Sequence, residues 1–288
     1  MYIASFKTRQ QNGAWDDLVR FWEHADGSGR FASGWVFDHM LPILGAPPGP
    51  VLEAWTLLSA LAMRTHRIGL GVMVSGNGYR NPALLLKMAT TVDVISGGRA
   101  WIGIGAGWNE REHEAFGYPL APVAERMDRL DEACQVIHAL LDTPRGATFE
   151  GRHHGVRDAV LDPPPVGGRI PIMIGGRGER RTLRAAARWA DAWNLPAGTP
   201  EELRHKIDVL HQHCGDWGRD PAEVAVTVQV TVTDPQEALS AADRHAASGA
   251  GQIVFVFDAP YDRGLLDRVI EGLPAPSAQG PSNGGREA

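Results

Sequence analysis

Cysteine is nearly absent: Cys134 and Cys214 are the only two in 288 residues. They lie far apart in helical patterns, so a disulfide framework is excluded by number and both read as reduced structural residues of a cytoplasmic protein. Long apolar runs are missing too. No stretch approaches the roughly 20 residues needed to cross a bilayer. The opening "MYIASFKTRQQ" has no charged segment ahead of an apolar run, so no secretory signal is expected. Positive charge is also in deficit, with 28 Lys and Arg against 34 Asp and Glu and a net charge of −6. Without a basic stripe, a nucleic-acid partner is excluded. No G-x-S-x-G elbow and no P-loop occur, which removes the usual serine hydrolase and kinase chemistries.

What is present is a regular alternation. Strand-like segments read "YIASF", "GWVFDH", "RIGLGVMV", "RAWIGIGAG", "IPIMIGG", "ADAWNL", "EVAVTVQVTV" and "QIVFVF". Several are apolar on both faces, as in a parallel sheet covered by helices. Helical patterns lie between them, near 15–25, 52–64, 82–95, 123–141, 180–189, 201–213, 236–247 and 261–270. The third shows its ends plainly: Asn81 as cap, Pro82 in the first turn, Gly97–Gly98 as stop. Eight strand–helix pairs predict a (β/α)8 TIM barrel, an α/β fold of about 250 residues. A doubly wound open sheet would need fewer strands and a switch point.

With no internal repeat and no domain boundary, residues 1–274 read as one domain. "TPRGATFEGRHHGVRDAVLDPPPVGG", between the fourth helix and the fifth strand, reads as an inserted hairpin and proline-rich loop. The Gly/Ser/Pro-rich tail, 275–288, reads as disordered.

In such a barrel the active site lies at the C-terminal ends of the strands. "GWVFDHM" therefore matters, because a buried apolar strand ends there on Asp38 and His39, which can face the barrel mouth. "GIGAGW" departs from the dinucleotide fingerprint at Trp108. Gly105, Ala106 and Gly107 would keep that strand end low for a flat ligand, with Trp108 as a wall; a plain tight turn fits the spacing equally well. In "IGGRGERRTL", Gly175 and Gly176 end a strand and Glu179 to Leu183 are expected to begin a helix. Its free amides and dipole suit phosphate, and Arg177 adds a charged fork; an ordinary glycine turn is the competing explanation. No metal site is expected. His211 and His213 of "HQHC" face different ways on a helix, and His153–His154 lack acidic or sulfur partners nearby in sequence.

The blocks "WVFDH", "RIGLGVMVSGNGYRNPALLLKMATTVDVISGGRAWIGIGAGWNEREHEAFGYPLAPVAERMDRLDEA" and "IPIMIGGRGERRTLRAAARWADAWN" together resemble the luciferase-like monooxygenase superfamily, in particular its coenzyme F420-dependent oxidoreductases. The likeness runs from about Trp15 to the last helix, and FMN-dependent relatives share much of it. It implies that Asp38 and His39 meet a deazaflavin ring, with His39 near the reactive carbon. It also implies a bulge with a non-prolyl cis peptide near Val72–Met73, polar contact from Ser75, and ring support from Gly105, Ala106 and Trp108. Gly175, Gly176 and Arg177 would hold the phosphate tail. Sugar-phosphate dehydrogenases of the family place a glutamate where this chain has Trp108, which argues against that substrate.

The resemblance thus implies an F420-dependent oxidoreductase, a homodimer, that moves hydride between the deazaflavin and an activated C=C, C=N or C=O bond. His39 would handle the accompanying proton, since imidazole titrates near neutral pH. Glu110, Glu112 and His113 are the alternative donors. Two other functions fit the same scaffold: an FMN-dependent monooxygenase, and a non-catalytic cofactor-binding barrel.

Overall fold

The computed structural model describes residues 1–43 and 45–274; the tail expected to be disordered lies outside the described residues. The strands are β1 (Ile3–Thr8), β2 (Ser33–Val36), β3 (Gly69–Val72), β4 (Ser75–Gly76), β5 (Ala100–Gly105), β6 (Arg145–Glu150), β7 (Gly155–Val160), β8 (Ile172–Gly175), β9 (Ala192–Leu195), β10 (Ala225–Thr231) and β11 (Gln252–Phe257). The helices are α1 (Trp15–Ser28), α2 (Ala54–Arg64), α3 (Pro82–Ser96), α4 (Glu110–Phe116), α5 (Val123–Asp142), α6 (Thr182–Trp189), α7 (Pro200–Asp216), α8 (Pro235–Ala247) and α9 (Arg263–Gly272).

Parallel pairing runs β1-β2-β3-β5-β8-β9-β10-β11, and β11 returns to β1 with Ile3 opposite Gln252. β3 meets β5 at Leu70–Ala100, so the cylinder is closed and the expected (β/α)8 barrel is present. β6 and β7 form a separate antiparallel hairpin, which is the insertion. Glu132 on α5 holds its turn by accepting from the amides of Arg152, His153 and His154 at 2.9, 2.6 and 2.8 Å. The two histidines of the insertion therefore contribute backbone to a turn.

Two layers fill the fold. Outside the strands, Phe6, Phe21 and Trp22 pack edge to face between sheet and helices. Inside, Trp35, Met73, Met173, Ala192 and Val254 form a distinct apolar cluster that plugs the barrel. Trp35 needs room there. A Cβ on Gly71 would come 2.3 Å from its ring, so only glycine lets the indole lie against β3. Burying each such side chain contributes about 1.5–3 kcal/mol. The bottom is tied by Asp26, whose carboxylate accepts from the amides of His66, Arg67 and Ile68 at 2.8–2.9 Å.

Asn81, Pro82 and Gly97 bound α3 as expected, with the Asn81 side chain accepting from Ala83 N at 2.9 Å. Elsewhere the boundaries differ. The helix after β8 begins at Thr182 rather than Glu179, because Gly176 takes φ 140° and Gly178 packs under Thr182 before the chain can wind. α4 is a short extra helix within a stretch that the sequence assigns to a loop.

Candidate active site

The top of the barrel opens into a cavity of about 550 Å³, within the roughly 300–1,000 Å³ usual for small-molecule and cofactor sites. Asp38 and His39 line it after β2, Met73 after β3 and Ser75 from β4, and Trp108, Gly175, Gly176 and Arg177 from the ends of β5 and β8. Three expected residues lie elsewhere. Val72 is fully buried in the β2–β3 ladder, Gly105 is buried beneath Val74, and Ala106 borders a neighbouring cavity of about 520 Å³. The cis peptide is present one residue later than expected, at Met73–Val74. Val74 then packs onto two strand ends: a Cβ on Gly105 or Gly175 would come 2.7 or 2.9 Å from its side chain. The glycines that end β5 and β8 thus make room for the bulge. The family resemblance assigns Gly105 to the ligand itself.

Asp38 and His39 leave β2 together but are held differently. Asp38 accepts both Arg80 guanidinium nitrogens, at 2.7 and 3.0 Å, and the amide of Gly76 at 2.9 Å. Burial pushes its carboxyl above the usual carboxylate range, against the pull of Arg80. Arg80 also reaches Glu53 at 2.5 Å, so this fork ties the β3 bulge to the start of α2. Ser75 donates no new anchor of its own; its oxygen accepts the Trp55 indole N–H at 3.0 Å.

His39 Nδ1 lies 2.8 Å from Glu112 Oε2. Glu112 comes from α4 and is completely buried. Its other oxygen accepts the amides of Met40 and Leu41 at 2.8 and 2.9 Å, and Tyr79 donates its hydroxyl to Oε2 at 2.9 Å. Burial alone would raise the Glu112 carboxyl, but the hydrogen bonds from His39, Leu41 and Tyr79 outweigh it and hold the pKa at about 2. The Tyr79 hydroxyl is pushed up by its own burial and then by Glu112. An ionised carboxylate only accepts, so His39 must carry its proton on Nδ1, leaving Nε2 for a ligand. Trp108, 60% exposed, stands edge-on to the imidazole at 5.5 Å and forms an outer wall.

The alternative donors are held in different places. Glu112 lies against His39, and the donors around it hold its carboxyl well below the usual carboxylate range. Glu110 is exposed outside the cavity, and His113 borders the neighbouring one with Nδ1 on the Pro119 carbonyl.

At β8 the cavity continues past Gly175 and Gly176 to Arg177, whose guanidinium pairs with Glu202 at 2.7 Å. Lys206 fastens the same loop by donating to the Arg177 carbonyl at 2.8 Å and to Glu179 at 3.0 Å. Glycine backbone, a half-exposed arginine and a flat wall at Met73–Val74 suit a planar ring with an anionic tail. Sequence reasoning missed Lys7, Tyr79, Asn194 and Gln229, all on the cavity, and Arg80, which pairs with Asp38. Their signal was weak, because Lys7, Asn194 and Gln229 are isolated polar residues within strands and Tyr79 and Arg80 lie in a polar, glycine-containing loop.

Among the described residues, no cluster of three or more metal-ligating side chains occurs and no helix is long and apolar enough to cross a membrane. Cys134 and Cys214 are both buried and unpaired.

Among solved structures, an F420-dependent secondary alcohol dehydrogenase aligns with a TM-score of 0.84 at 18% identity, over 95% of this chain and 99% of its own. The coenzyme F420-dependent tetrahydromethanopterin reductase of Methanopyrus kandleri aligns at 0.77 and 16%, over 94% and 97%. At these identities the likeness establishes the fold. By sequence, the phthiodiolone/phenolphthiodiolone dimycocerosates ketoreductase of Mycobacterium sp. (strain JLS) is 39% identical over 192 residues, 63% of this chain and 48% of that protein. Its counterpart from Mycobacterium kansasii is 34% identical over 200 residues, 66% and 53%. The chain thus spans about half the length of these curated relatives. The luciferase-like monooxygenase profile matches residues 2–272, nearly the whole described chain, and the protein belongs to that family.

Proposed function

We propose that the protein is an oxidoreductase that uses coenzyme F420 to exchange hydride with a small substrate bearing an activated C=O, C=N or C=C bond. The observation that carries this reading is the Glu112–His39 pair set at the wall of a cofactor-sized cavity. The names of the ketoreductase relatives and of the two F420-dependent structural neighbours support it.

When bound, the deazaflavin supplies the hydride, chemistry that no side chain provides. The chain's own residues do the rest. The Met73–Val74 bulge gives a ring a wall, Gly175 and Gly176 admit the tail, and Arg177 meets its charge. His39 Nε2 delivers or receives the proton that accompanies hydride, while Glu112 keeps Nδ1 protonated and the ring oriented. Holding ring and substrate in contact supplies most of the rate. A homodimer in the cytoplasm is part of the same proposal.

A second reading, an FMN-dependent monooxygenase, has its own support. A monooxygenase from Streptomyces bottropensis shares the fold at a TM-score of 0.67 and 19% identity, over 94% of this chain and 82% of its own. The longer, more anionic F420 tail suits Arg177 better. Purified apoprotein should bind F420 at least about tenfold more tightly than FMN, roughly 1.4 kcal/mol, in parallel fluorescence titrations. Tighter FMN binding with oxygen-dependent turnover would move the protein to the second reading. A barrel that binds either cofactor without any substrate-dependent absorbance change would be non-catalytic.

A further inference from the structure

Lys7 has no part in the His39 relay, yet it is the most unusual charge in the barrel. Its side chain leaves β1 toward the interior, is 8% exposed, and lines the main cavity. Nζ donates to the Met73 carbonyl at 3.0 Å and to Gln229 Oε1 at 3.2 Å. Both acceptors are neutral. Among the described residues the third ammonium hydrogen has no partner.

Behind Lys7 the polarity of a chain is fixed. Gln229 accepts from Lys7, so its Nε2 donates to Asn194 Oδ1 at 2.7 Å, and Asn194 Nδ2 in turn donates to Thr227 at 2.7 Å. The row crosses β1, β10 and β9 just above the apolar plug of Trp35, Met173 and Val254.

A purely structural floor would not need this cation. Burying an ammonium against neutral acceptors is costly, and a methionine would fill the space without that cost. Burial lowers the Lys7 pKa to about 7, helped by Arg9 and opposed by Asp258. Displaced ionisable groups of this kind concentrate at functional sites. The titratable and charged groups around it are Arg9 just after β1, Asp258 after β11, and Asp38 and His39 after β2. Met73 after β3, Asn194 on β9 and Gln229 on β10 face it as neutral groups, and Arg177 completes the charged lining.

We propose that Lys7, backed by Gln229 and Asn194, is the subsite that receives the substrate's oxygen, so that the substrate class is a ketone or aldehyde. The ammonium would stabilise the negative charge that gathers on a carbonyl oxygen as its carbon is reduced, the role of an oxyanion-binding group. This assignment rests on the reductase reading and narrows it from three bond types to C=O.

Benzoate is a suitable probe, since its carboxylate stands in for the charged oxygen and its ring for an apolar substrate body. Calorimetry on the cofactor-free protein should show one site at about pH 6 that weakens at least about tenfold by about pH 8.5, as Lys7 loses its proton. Lys7→Met and Lys7→Gln should each bind about tenfold or more weakly at the lower pH, the scale of a lost charge-assisted hydrogen bond, and lose the pH dependence. His39→Gln should keep it. In ¹⁵N-lysine spectra of the unaltered protein, benzoate should raise the pKa of one ammonium that titrates far below the others. Equal binding by both Lys7 variants, or a pH dependence that disappears in His39→Gln instead, would overturn the assignment. So would an unmoved lysine spectrum. Because no cofactor is present, these outcomes are separate from the F420 and FMN titrations that test the reductase reading.

Discussion

His39 and Glu112 are 73 residues apart in sequence, yet their side chains meet at 2.8 Å with the carboxylate fully buried. The same carboxylate also holds the Met40 and Leu41 amides and the Tyr79 hydroxyl. It therefore fixes both the His39 ring and the loop that carries it.

If His39 moves the proton, His39→Ala should keep cofactor binding and lower turnover by about 10²-fold or more. Glu112→Gln should approach that loss without any direct contact with substrate, and the double variant should be no worse than His39→Ala alone. Steady-state kinetics with any active substrate decide it. Full additivity would mean that the two residues act separately.

The same carboxylate links stability to acid. Its neighbours hold its pKa in the folded protein at about 2, below the ordinary glutamate value of 4.5. The unfolded chain therefore takes up the proton first. The resulting contribution, roughly 3 kcal/mol, is complete above the unfolded value and is lost as pH falls from about 4.5 through about 2. Urea unfolding of the unaltered protein and Glu112→Gln should show a stability gap near neutral pH that narrows steeply across that window. A gap that stays constant would mean that the carboxylate is not held ionised.

The strand pattern, the α3 caps, the hairpin insertion and the "DH" strand end were legible in sequence because each depends on local periodicity or a single turn residue. Lys7, Tyr79, Arg80 and Gln229 were not. Their roles come from contacts with segments distant in sequence, as when Lys7 reaches Met73 and Gln229 or Arg80 reaches Asp38, and neither a polar strand residue nor a polar loop residue gives a hint of its partner. Glu112 was seen as an acid near the site but assigned the opposite task. Only burial and four converging donors reveal it as a fixed anion. The glycines of "GIGAGW" were likewise read as room for a ligand, whereas Gly105 makes room for Val74.

Gly103 gives a sharper test of how β3 and β5 fit. A Cβ there would stand 1.9 Å from the Val72 carbonyl oxygen, a backbone atom that cannot rotate away. Gly103→Ala should therefore push the two strands apart and destabilise the fold by about 3 kcal/mol or more, at the upper end for overpacking. Cofactor binding should weaken along with it, because the Met73–Val74 bulge follows directly. A variant with an unchanged unfolding midpoint would mean that the ladder at this point yields easily.

Arg177 carries the last prediction. Its guanidinium pairs with Glu202 and is half exposed, at the end of the glycine loop that opens from the cavity. For it to serve a phosphate, the anion must compete with Glu202 or share the fork, and a surface pair of this kind contributes no more than about 1 kcal/mol. Arg177→Glu should thus weaken binding of the intact cofactor much more than binding of its phosphate-free core. Glu202→Gln should act in the opposite sense and tighten the intact cofactor modestly. Both effects should shrink as salt rises, since exposed charges are screened over about 10 Å at 0.1 M ionic strength. Fluorescence titrations of the two ligands at low and high salt measure all of this. Equal losses for both ligands in Arg177→Glu would reduce the loop to an ordinary turn and leave the tail to be held elsewhere.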